Sequence, residues 1–435
     1  NFLIWIKLSF FYIISILLYF SMKNPEIFDV IVVGGGAAGM MAAGISASLG
    51  KRVLILEKNK SMGEKLKISG GGRCNITNAE EDIHAFLKFY EKSQDFLYSP
   101  FSQFNNKDTF SFFEKRNLPL VVQARKRAFP NTERSFDVFN VLKKYLEEGK
   151  VQVRLNSPVI KIDKEKNKII SVETKDGIWK AKSFIFATGG VSHPETGSTG
   201  DGFKWLRDLG HTVKDPTPTI VPLKISDKWV HTLAGVSLSF MKITFLLEGK
   251  KQFSKTGKLL FTHFGLSGPL ILNSSKKVAD LLHGGIVTGK IDAYPDTDLG
   301  ALEKKIIKVF DANKNKSLRN VFKEIVPEGT SKGLELIFKN IDFTTKVHSI
   351  TKEERKEIVQ TLKALPFTIE GLMGFDRAVV ADGGVILKEI DTKTMRSNLY
   401  ENLYIIGDLL HITRPSGGFS LQICWTTGYV AGKNA

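Results

Sequence analysis

Three glycines and one glutamate near the start of the chain have the residue types and the spacing to bind a dinucleotide. They lie in the segment DVIVVGGGAAGMMAAGISASLGKRVLILEK. Gly34 allows a tight turn, Gly36 lets the backbone approach a pyrophosphate, and Gly39 lets a helix pack close to its strand. Glu57, 18 residues after Gly39, can accept hydrogen bonds from ribose hydroxyls. We therefore predict a dinucleotide site, against the alternative of a glycine-rich turn in another kind of α/β protein.

The elements that must position these residues form a predicted βαβ unit. A β-branched run precedes the glycine turn, a helix of small residues follows it, and a second β-branched run ends at Glu57. In this arrangement the helix N-terminus directs N–H groups and positive dipole towards phosphates. The order of elements supports the dinucleotide interpretation more strongly than the glycine pattern alone.

Two later segments again place glycines at the end of a predicted strand. The strand at 183–187 leads into Thr188, Gly189 and Gly190, and the strand at 403–406 leads into Gly407 and Asp408 and then into Gly417 and Gly418, before a helix that starts near Ser420. Glycine-lined strand ends more than 350 residues apart indicate one elongated ligand that is contacted from several places. This favours FAD over NAD.

The stretch KISGGGRCNITN, residues 67–78, has three possible interpretations: a phosphate cradle, a redox cysteine, or a surface loop with a glycosylation acceptor. Only Cys74 and Cys424 occur in the chain, so Cys74 has no nearby resolving partner and is predicted to be a small packed residue. The stretch follows the predicted dinucleotide unit directly. We therefore expect its glycines to make room for the cofactor, with Arg73 offering charge and Asn75 an amide.

Composition limits the classes of protein that this chain can represent. Its 435 residues indicate two domains, and 42% hydrophobic with 25% charged residues is typical of an ordered globular protein. The net charge of +17 is compatible with nucleic acid, an anionic membrane or anionic ligands. Its longest basic run is only Arg125-Lys126-Arg127, which favours a solvated lysine-rich surface over nucleic-acid binding. Two cysteines and the histidine spacing predict no metal site.

Residues 1–21 are apolar enough to span a bilayer, with Lys7 as their only charge. The chain starts with Asn, and this stretch uses almost only residue types that A/T-rich codons specify. We therefore expect a mis-extended start, with Met22 as the natural one, in preference to a membrane anchor. A signal peptide is disfavoured because no small-residue cleavage site follows. A membrane partner is expected only if the anchor is genuine, and otherwise the expected location is cytoplasmic.

From about Asp29 onwards, the sequence resembles the bacterial-type flavoprotein family that includes aminoacetone oxidase and the 3-dehydro-bile-acid reductase. The matching blocks include KISGGGRCNITN, RAFP, ATGGVSHPETGSTGDG, GKLLFTHFGLSGP and SGGFSLQ. The resemblance implies an α/β fold, in which a Rossmann-like FAD-binding domain is interrupted by an inserted small antiparallel β-barrel with a helical lobe. We expect the FAD-binding domain at 22–194 and 373–435, and the inserted substrate or cap domain at 195–372. Alternating strands within 219–265 and helical spacing at 299–326 and 351–364 agree with this division.

The resemblance also implies which residues contact FAD. The pyrophosphate lies at the first glycine turn, the adenosine ribose at Glu57, adenine at the backbone of Val159, and the ribityl chain at Asp408. The flavin pyrimidine edge lies at the last glycine pair. The full predicted set is Gly34, Gly36, Ala37, Ala38, Gly39, Glu57, Lys58, Lys65, Gly70, Gly71, Gly72, Arg73, Cys74, Asn75, Val159, Thr188, Gly189, Gly190, Gly407, Asp408, Gly417, Gly418, Phe419, Ser420 and Leu421.

Four polar residues are candidates for clamping a substrate or donating a proton: His411, Arg414, Arg127 and His263. The last block departs from the family at several of its side chains, which affects the substrate pocket more than the backbone contacts with flavin. We predict an FAD-dependent oxidoreductase that exchanges hydride between flavin N5 and a small amine, aminoketone or conjugated enone. A second Gly-x-Gly-x-x-Gly unit is absent, so NAD(P)H would bind transiently, with oxygen or a quinone as other electron partners. The alternatives are an RNA-modifying flavoprotein and a flavin-binding protein without turnover.

Overall fold

The computed structural model describes residues 27–435, so the apolar segment 1–21 and the expected start at Met22 lie outside the described residues. The chain divides into two compact units. The first contains the residues up to Thr217 together with Asp382–Ala435, and the second contains Pro218–Ala381. Within residues 27–435, no helix has both the length and the apolar character needed to cross a membrane.

The first unit alternates strands and helices up to its tenth strand, whose last two residues belong to the second unit. Its strands are β1 (Ile27–Val33), β2 (Val53–Leu56), β3 (Thr77–Asn78), β4 (Leu120–Gln123), β5 (Arg127–Pro130), β6 (Gln152–Arg154), β7 (Val159–Glu165), β8 (Lys168–Thr174), β9 (Gly177–Phe186) and β10 (Val213–Thr219). Its helices are α1 (Ala37–Ser48), α2 (Glu64–Ile68), α3 (Ile83–Lys88), α4 (Gln94–Gln103), α5 (Asn106–Glu114), α6 (Ser135–Glu148) and α7 (Asp201–Asp208). Short 3₁₀ turns lie at Ser69–Gly72, Glu91–Ser93, Ala124–Lys126 and Pro194–Thr196.

The second unit contains a closed barrel and a set of helices. Its strands are β11 (Leu223–Ile225), β12 (Ser237–Leu247), β13 (Lys250–Thr262), β14 (Gly265–Ser267), β15 (Val287–Asp292) and β16 (Leu365–Leu372), with barrel order β11-β14-β13-β12-β15-β16. Its helices are α8 (Lys228–Thr232), α9 (Pro269–Leu272), α10 (Ser275–Leu282), α11 (Leu299–Ala312), α12 (Leu318–Ile325), α13 (Ser331–Glu335) and α14 (Lys352–Lys363), with a 3₁₀ turn at Val347–Ser349. The strand pairs within the barrel are antiparallel, and a separate hydrophobic core fills this unit.

The C-terminal part completes the first unit. It begins at Asp382, within β17 (Val380–Val385), which pairs with β10, and continues with β18 (Leu403–Ile405) and α15 (Phe419–Asn434), with 3₁₀ turns at Leu387–Glu389 and Gly407–Leu409. The main sheet has the order β6-β2-β1-β9-β8-β7, and β18 pairs with β9. The pairs β6-β2, β2-β1, β1-β9 and β9-β18 are parallel. β2 is buried at every position, which explains its unbroken apolar sequence.

Helices α1 and α15 pack closely against each other, which brings the N-terminal and C-terminal segments of the first unit together. A Cβ added at Gly428 would lie 2.7 Å from the carbonyl oxygen of Ala38, and one at Gly432 would overlap Ala42. The hydroxyl of Ser46 donates to the carbonyl of Gly432 at 2.8 Å. Small residues on both helices therefore place the first and last glycine segments at one end of the sheet.

The observed start of the second unit differs from the position that the sequence suggested. The inserted domain was expected at 195–372, whereas the second unit comprises Pro218–Ala381. Helix α7 stays with the first unit because Phe203 and Leu206 are buried in the first core. The predicted helical segment 299–326 is two helices, α11 and α12, separated at 313–317, where Asn313, Asn315 and Ser317 are poor helix formers.

Candidate functional site

The first glycine turn leaves open the N-terminus of helix α1. Gly34 has φ 106°, and a Cβ there would lie 2.6 Å from the carbonyl oxygen of Ala187, so only glycine fits. A Cβ on Gly39 would overlap the carbonyl of Gly34. Gly36 precedes the helix, no side chain caps the helix there, and a Cβ on Gly36 would meet nothing within 4 Å. The helix therefore offers N–H groups to an open space, as a pyrophosphate requires.

Glu57 supports this turn from the end of β2. Its Oε2 accepts from the backbone N–H of Gly35 at 2.7 Å, and its Oε1 accepts from that of Asn59 at 2.8 Å. Burial raises the pKa of Glu57, and these two backbone hydrogen bonds partly oppose that rise. Each carboxylate oxygen has a second lone pair, so the group that holds the turn can also accept from ribose hydroxyls.

Thr188 places an unused hydroxyl at the end of β9. Its Oγ1 is buried and has no hydrogen-bond partner among residues 27–435. A buried polar atom of this kind costs free energy unless a ligand satisfies it. A Cβ added at Gly202 would overlap the Thr188 side chain, so this glycine, which had no predicted role, leaves room for that hydroxyl. The sequence signal was present in the TGDG run that contains Gly202.

Asp408 lies between two cations at the end of β18. Lys65 Nζ is 3.1 Å from its Oδ2, and Arg414 Nη2 donates to its Oδ1. The guanidinium of Arg414 also donates to the Ser420 hydroxyl at 3.2 Å and to the Ile412 carbonyl at 2.5 Å. Burial favours the neutral acid, but Lys65 and Arg414 outweigh it and lower the pKa of Asp408. The carboxylate is therefore held ionised in one orientation.

The last glycine pair, Gly417 and Gly418, packs against strand β3 and the residues just before it. Gly418 has φ 99°, and a Cβ there would overlap the backbone of Thr77. In the amide orientation that satisfies its neighbours, Asn75 accepts from the N–H of Gly418 at 3.0 Å, and Asn78 Nδ2 donates to the carbonyl of Gly417 at 3.3 Å. No side chain caps α15, which starts directly after Gly418. A second helix N-terminus without a side-chain cap therefore lies beside β3.

The glycine triplet that precedes β3 adopts left-handed backbone throughout. Gly70, Gly71 and Gly72 have φ 58°, 68° and 87°, and a Cβ on Gly71 or Gly72 would meet nothing within 4 Å. The next cysteine, Cys74, is fully buried, and burial raises the pKa of its thiol to about 12. It is therefore an unreactive packed residue. The triplet is the open element of this loop.

Three of the predicted cations have protein partners. Arg73 donates to Glu133 at 2.9 Å and to Gln123 at 2.8 Å, with its guanidinium 4.5 Å from the centre of the Phe129 ring. Lys58 pairs with Asp201 at 2.8 Å, and Lys65 pairs with Asp408 as described above. Neutralisation of phosphate by these side chains stays a prediction. Because the three cations already have protein partners, we expect helix N-termini to be the phosphate-binding groups.

The four substrate-facing candidates occupy different places. Arg414 is buried, with its contacts described above. His411 is half-buried, and its backbone N–H donates to the Val385 carbonyl at 3.0 Å. Arg127 is half-buried at the start of β5, and its Nε donates to the Ala124 carbonyl at 3.1 Å. His263 belongs to the second unit, where it is exposed between β13 and β14.

The remaining predicted contacts lie on β7 and beside the strand ends already described. Val159 is the buried first residue of β7. Phe419 packs in an aromatic cluster with Phe86, Phe89 and Tyr90, whose hydroxyl donates to the Phe419 carbonyl at 2.9 Å. The other positions follow the three strand ends: Ala37, Ala38, Gly189, Gly190, Gly407, Ser420 and Leu421.

These features fit an elongated ligand that contains a pyrophosphate. Two uncapped helix N-termini, the clearance at Gly36 and the unsatisfied Thr188 hydroxyl supply the donors and the space. Together with the parallel strands β6, β2, β1, β9 and β18 of the main sheet, they define the class: an FAD-dependent oxidoreductase with a Rossmann-type FAD-binding domain. The chain belongs to the HI0933-like protein Rossmann domain family, whose family model matches residues 28–434.

Relatives and solved structures agree with this assignment. The chain is 30% identical over 407 residues to a ribosomal RNA dihydrouridine synthase of Haemophilus influenzae, covering 92% of this chain and 96% of that protein. It is 28% identical over 414 residues to a 3-dehydro-bile acid delta(4,6)-reductase of Clostridium scindens, covering 93% and 98%. A flavocytochrome c3 fumarate reductase in its open conformation superposes with TM-score 0.54 at 16% identity, covering 97% of this chain and 80% of that one. The structural likeness supports the fold alone.

Proposed function

We propose that this protein is an FAD-dependent reductase that saturates a carbon–carbon double bond conjugated to a carbonyl group in a small organic substrate. The observation that carries the proposal is the pair of relatives aligned over almost their whole length, a delta(4,6)-reductase and a dihydrouridine synthase. Dihydrouridine differs from uridine by one saturated carbon–carbon bond next to a carbonyl, so both names describe the same type of reduction. Of the predicted substrate classes, we therefore favour the conjugated enone over amines and aminoketones.

The chain's own residues would hold the cofactor in an extended form. The N-terminus of α1 at Gly36 would bind the pyrophosphate and Glu57 the adenosine ribose. Asp408 would accept from the ribityl hydroxyls, and the N-terminus of α15 would lie at the pyrimidine edge, where its dipole stabilises negative charge. FAD supplies the hydride chemistry when it is bound.

The burial of Arg414 changes the role that we propose for it. A guanidinium that donates to Asp408, Ser420 and a backbone carbonyl has few N–H groups left for a substrate. We therefore assign Arg414 as a positioning residue for Asp408. Arg127 and His411 of the first unit remain the candidates for orienting the carbonyl or delivering a proton to the carbon next to it, and a role for His263 of the second unit stays a prediction.

Anaerobic reoxidation tests the proposal. The purified yellow protein is reduced with NADPH, NADH or, failing these, dithionite, and a 3-keto-4,6-diene steroid is added. We expect the oxidised flavin spectrum to return with one reduced steroid per flavin, while the saturated steroid leaves the flavin bleached. If aminoacetone bleaches the oxidised flavin and no enone reoxidises the reduced form, the reductase proposal fails. A flavin that no donor reduces would support a flavin-binding protein without turnover.

A second candidate is an RNA-modifying flavoprotein. It is favoured by the 30% identity to the Haemophilus influenzae enzyme and by the net charge of +17, although the lysines are dispersed along the sequence. Unmodified ribosomal RNA would be incubated with the reduced protein and digested, and the nucleosides analysed by mass spectrometry. Dihydrouridine formed only with the reduced protein would establish this function, and its absence under conditions that reduce the steroid would exclude it.

A further inference from the structure

The turn Ala124–Lys126 and the residue after it carry the longest basic run of the chain in a strained backbone. Arg125 has φ 62° and Lys126 has φ 56°, so two successive non-glycine residues are left-handed. Such a conformation is unfavourable for residues with a Cβ and persists only where surrounding contacts enforce it. Glycine would suit this backbone better, so the side chains of Arg125 and Lys126 are retained at a cost in backbone energy.

The contacts that enforce the turn also connect it to the cofactor site. Asn78 Nδ2 donates to the carbonyl of Arg125 at 3.1 Å, and the backbone N–H of Ala79 donates to that of Lys126 at 2.6 Å. The same Asn78 amide donates to the carbonyl of Gly417 at 3.3 Å. One side chain therefore fixes the basic turn beside the glycine pair that precedes α15.

The charges in this region are only partly compensated. Both oxygens of Glu80 accept from Lys126 Nζ at 2.8 Å. Arg125 and Arg127, by contrast, pair with no carboxylate in the part of the chain that the structure describes. Arg127 uses its Nε for the Ala124 carbonyl, and its guanidinium lies 5.7 Å from the centre of the Phe129 ring. Arg125 and Arg127, two residues apart in the chain, thus keep guanidinium N–H donors for another partner.

We propose that Arg125 and Arg127 form an oxoanion site that holds a phosphate or carboxylate group of the substrate next to the Gly417–Gly418 loop. Two guanidinium groups, one in this turn and one on the residue after it, suit this chemistry because each presents a planar fork that matches a carboxylate or phosphate. The inference rests on the proposed function, which it deepens by specifying an anionic substrate. A phosphate would come from RNA, and a carboxylate from a small molecule.

Matched charge removals within the turn test the site. Arg125→Gln and Arg127→Gln are compared with Lys126→Gln, which removes one charge from the same turn but from a side chain already paired with Glu80. The holoprotein is titrated with a labelled uridine-rich RNA oligonucleotide by fluorescence anisotropy, and with inorganic phosphate and succinate by calorimetry. We expect each arginine variant to bind one or more of these probes about tenfold more weakly, and Lys126→Gln to change the affinity less than twofold. The retained flavin absorbance checks that each variant is folded.

The three probes distinguish the source of the anion and the failure of either proposal. If the arginine variants lose affinity for RNA and phosphate alone, the site binds a nucleic-acid phosphate. If they lose affinity for succinate alone, the site binds a carboxylate. Equal losses in all three variants would reveal a non-specific basic surface and overturn the site, as would wild-type affinity in both arginine variants. If arginine-dependent binding is found but neither steroid nor RNA reoxidises the flavin, the anion site stands and the proposed reduction fails.

Discussion

At the scale of single residues, Arg414 and Asp408 show how burial turns a charged pair into a structural constraint. Arg414 is only 5% exposed, and its partner carboxylate is held from the other side by Lys65. A pair of buried charges contributes little net stability when intact, but removing one partner leaves the other uncompensated. The arrangement therefore fixes the orientation of Asp408 more than it stabilises the fold.

Replacement of Arg414 by methionine tests this constraint. We expect Arg414→Met to lower the free energy of unfolding by about 3 kcal/mol, because Asp408 loses one of its two cations in a buried setting. Lys58→Met, which breaks the more exposed pair with Asp201, should cost less than about 1 kcal/mol. Urea denaturation of both flavin-free variants measures the difference. Equal costs would contradict the assignment of Arg414 as the buried partner.

Gly36 is predicted to matter for the ligand and not for the fold. Its φ is −81° and a Cβ would meet nothing within 4 Å. The free energy of unfolding of Gly36→Ala should therefore stay within about 1 kcal/mol of the wild-type value. The added methyl group would occupy the space that a pyrophosphate needs, so flavin retained after gel filtration should fall at least about tenfold. Gly39→Ala should instead destabilise the flavin-free protein, because its Cβ overlaps Gly34. A fully yellow Gly36→Ala protein would place the pyrophosphate elsewhere.

At the scale of elements, the site depends on how helices and strands are tied together. Strand β3 is joined to α15 through Thr77, whose hydroxyl donates to Gln422 Oε1 at 2.6 Å, and Trp425 Nε1 donates to the Ile76 carbonyl at 3.0 Å. These bonds are buried and connect residues more than 340 positions apart. The N-terminus of α15 is thus oriented by the strand that follows the glycine triplet.

A buried histidine connects α7 to the 3₁₀ turn at Leu387–Glu389 and is predicted to make stability depend on pH. His211 Nδ1 lies 2.7 Å from Glu389 Oε2, and its Nε2 lies 2.9 Å from the Ser397 hydroxyl. Burial lowers the pKa of His211 below its ordinary 6.5, although Glu389 opposes the shift. The unfolded chain therefore binds this proton more readily than the folded one, so stability should decline as the pH falls below about 6.5.

A second titration acts in the same direction. Although burial opposes it, hydrogen bonds from Thr212 and His211 lower the pKa of Glu389 below its ordinary 4.5, so further stability is lost below about that pH. We expect His211→Gln to flatten the dependence between pH 5 and 7, as measured by thermal unfolding of the flavin-free protein. His84→Gln, which removes an exposed histidine ring, is the matched control. An unchanged slope in His211→Gln would show that another group is responsible.

At the scale of the whole molecule, each unit has its own hydrophobic core, and this predicts separable effects of core mutations. Phe322 and Phe113 are both fully buried, one in the second core and the other in the first against Trp425. Truncation of either side chain to alanine should lower the free energy of unfolding of its unit by about 3–5 kcal/mol. We expect Phe113→Ala to reduce flavin retention as well, whereas Phe322→Ala should leave the flavin-to-protein ratio unchanged. Absorbance and calorimetry measure both quantities, and flavin loss in Phe322→Ala would contradict the separation.

Much of the first unit could be predicted from the sequence because its signals are local. The glycine turn, helix and two strands around Gly34, Gly39 and Glu57 follow from spacing alone, and the predicted strand and helix near Leu403 and Ser420 are confirmed. The class of fold and the cofactor are confirmed by the family. The individual cofactor contacts and the substrate-facing residues stay predictions.

The sequence by itself determined where the backbone must be unhindered and where helices must begin. Both features depend on residues close together in the chain, namely glycines that lack a Cβ and the periodic spacing of apolar residues. Tertiary structure alone decided which charges are used within the protein. Arg414, Lys65, Lys58 and Arg73 are ordinary cations in sequence, yet each finds an acid 6 to 343 positions away, whereas Arg125 and Arg127 find none among residues 27–435. The partner of a charge depends on distances in space, and folding sets these distances through the core that packs between the elements.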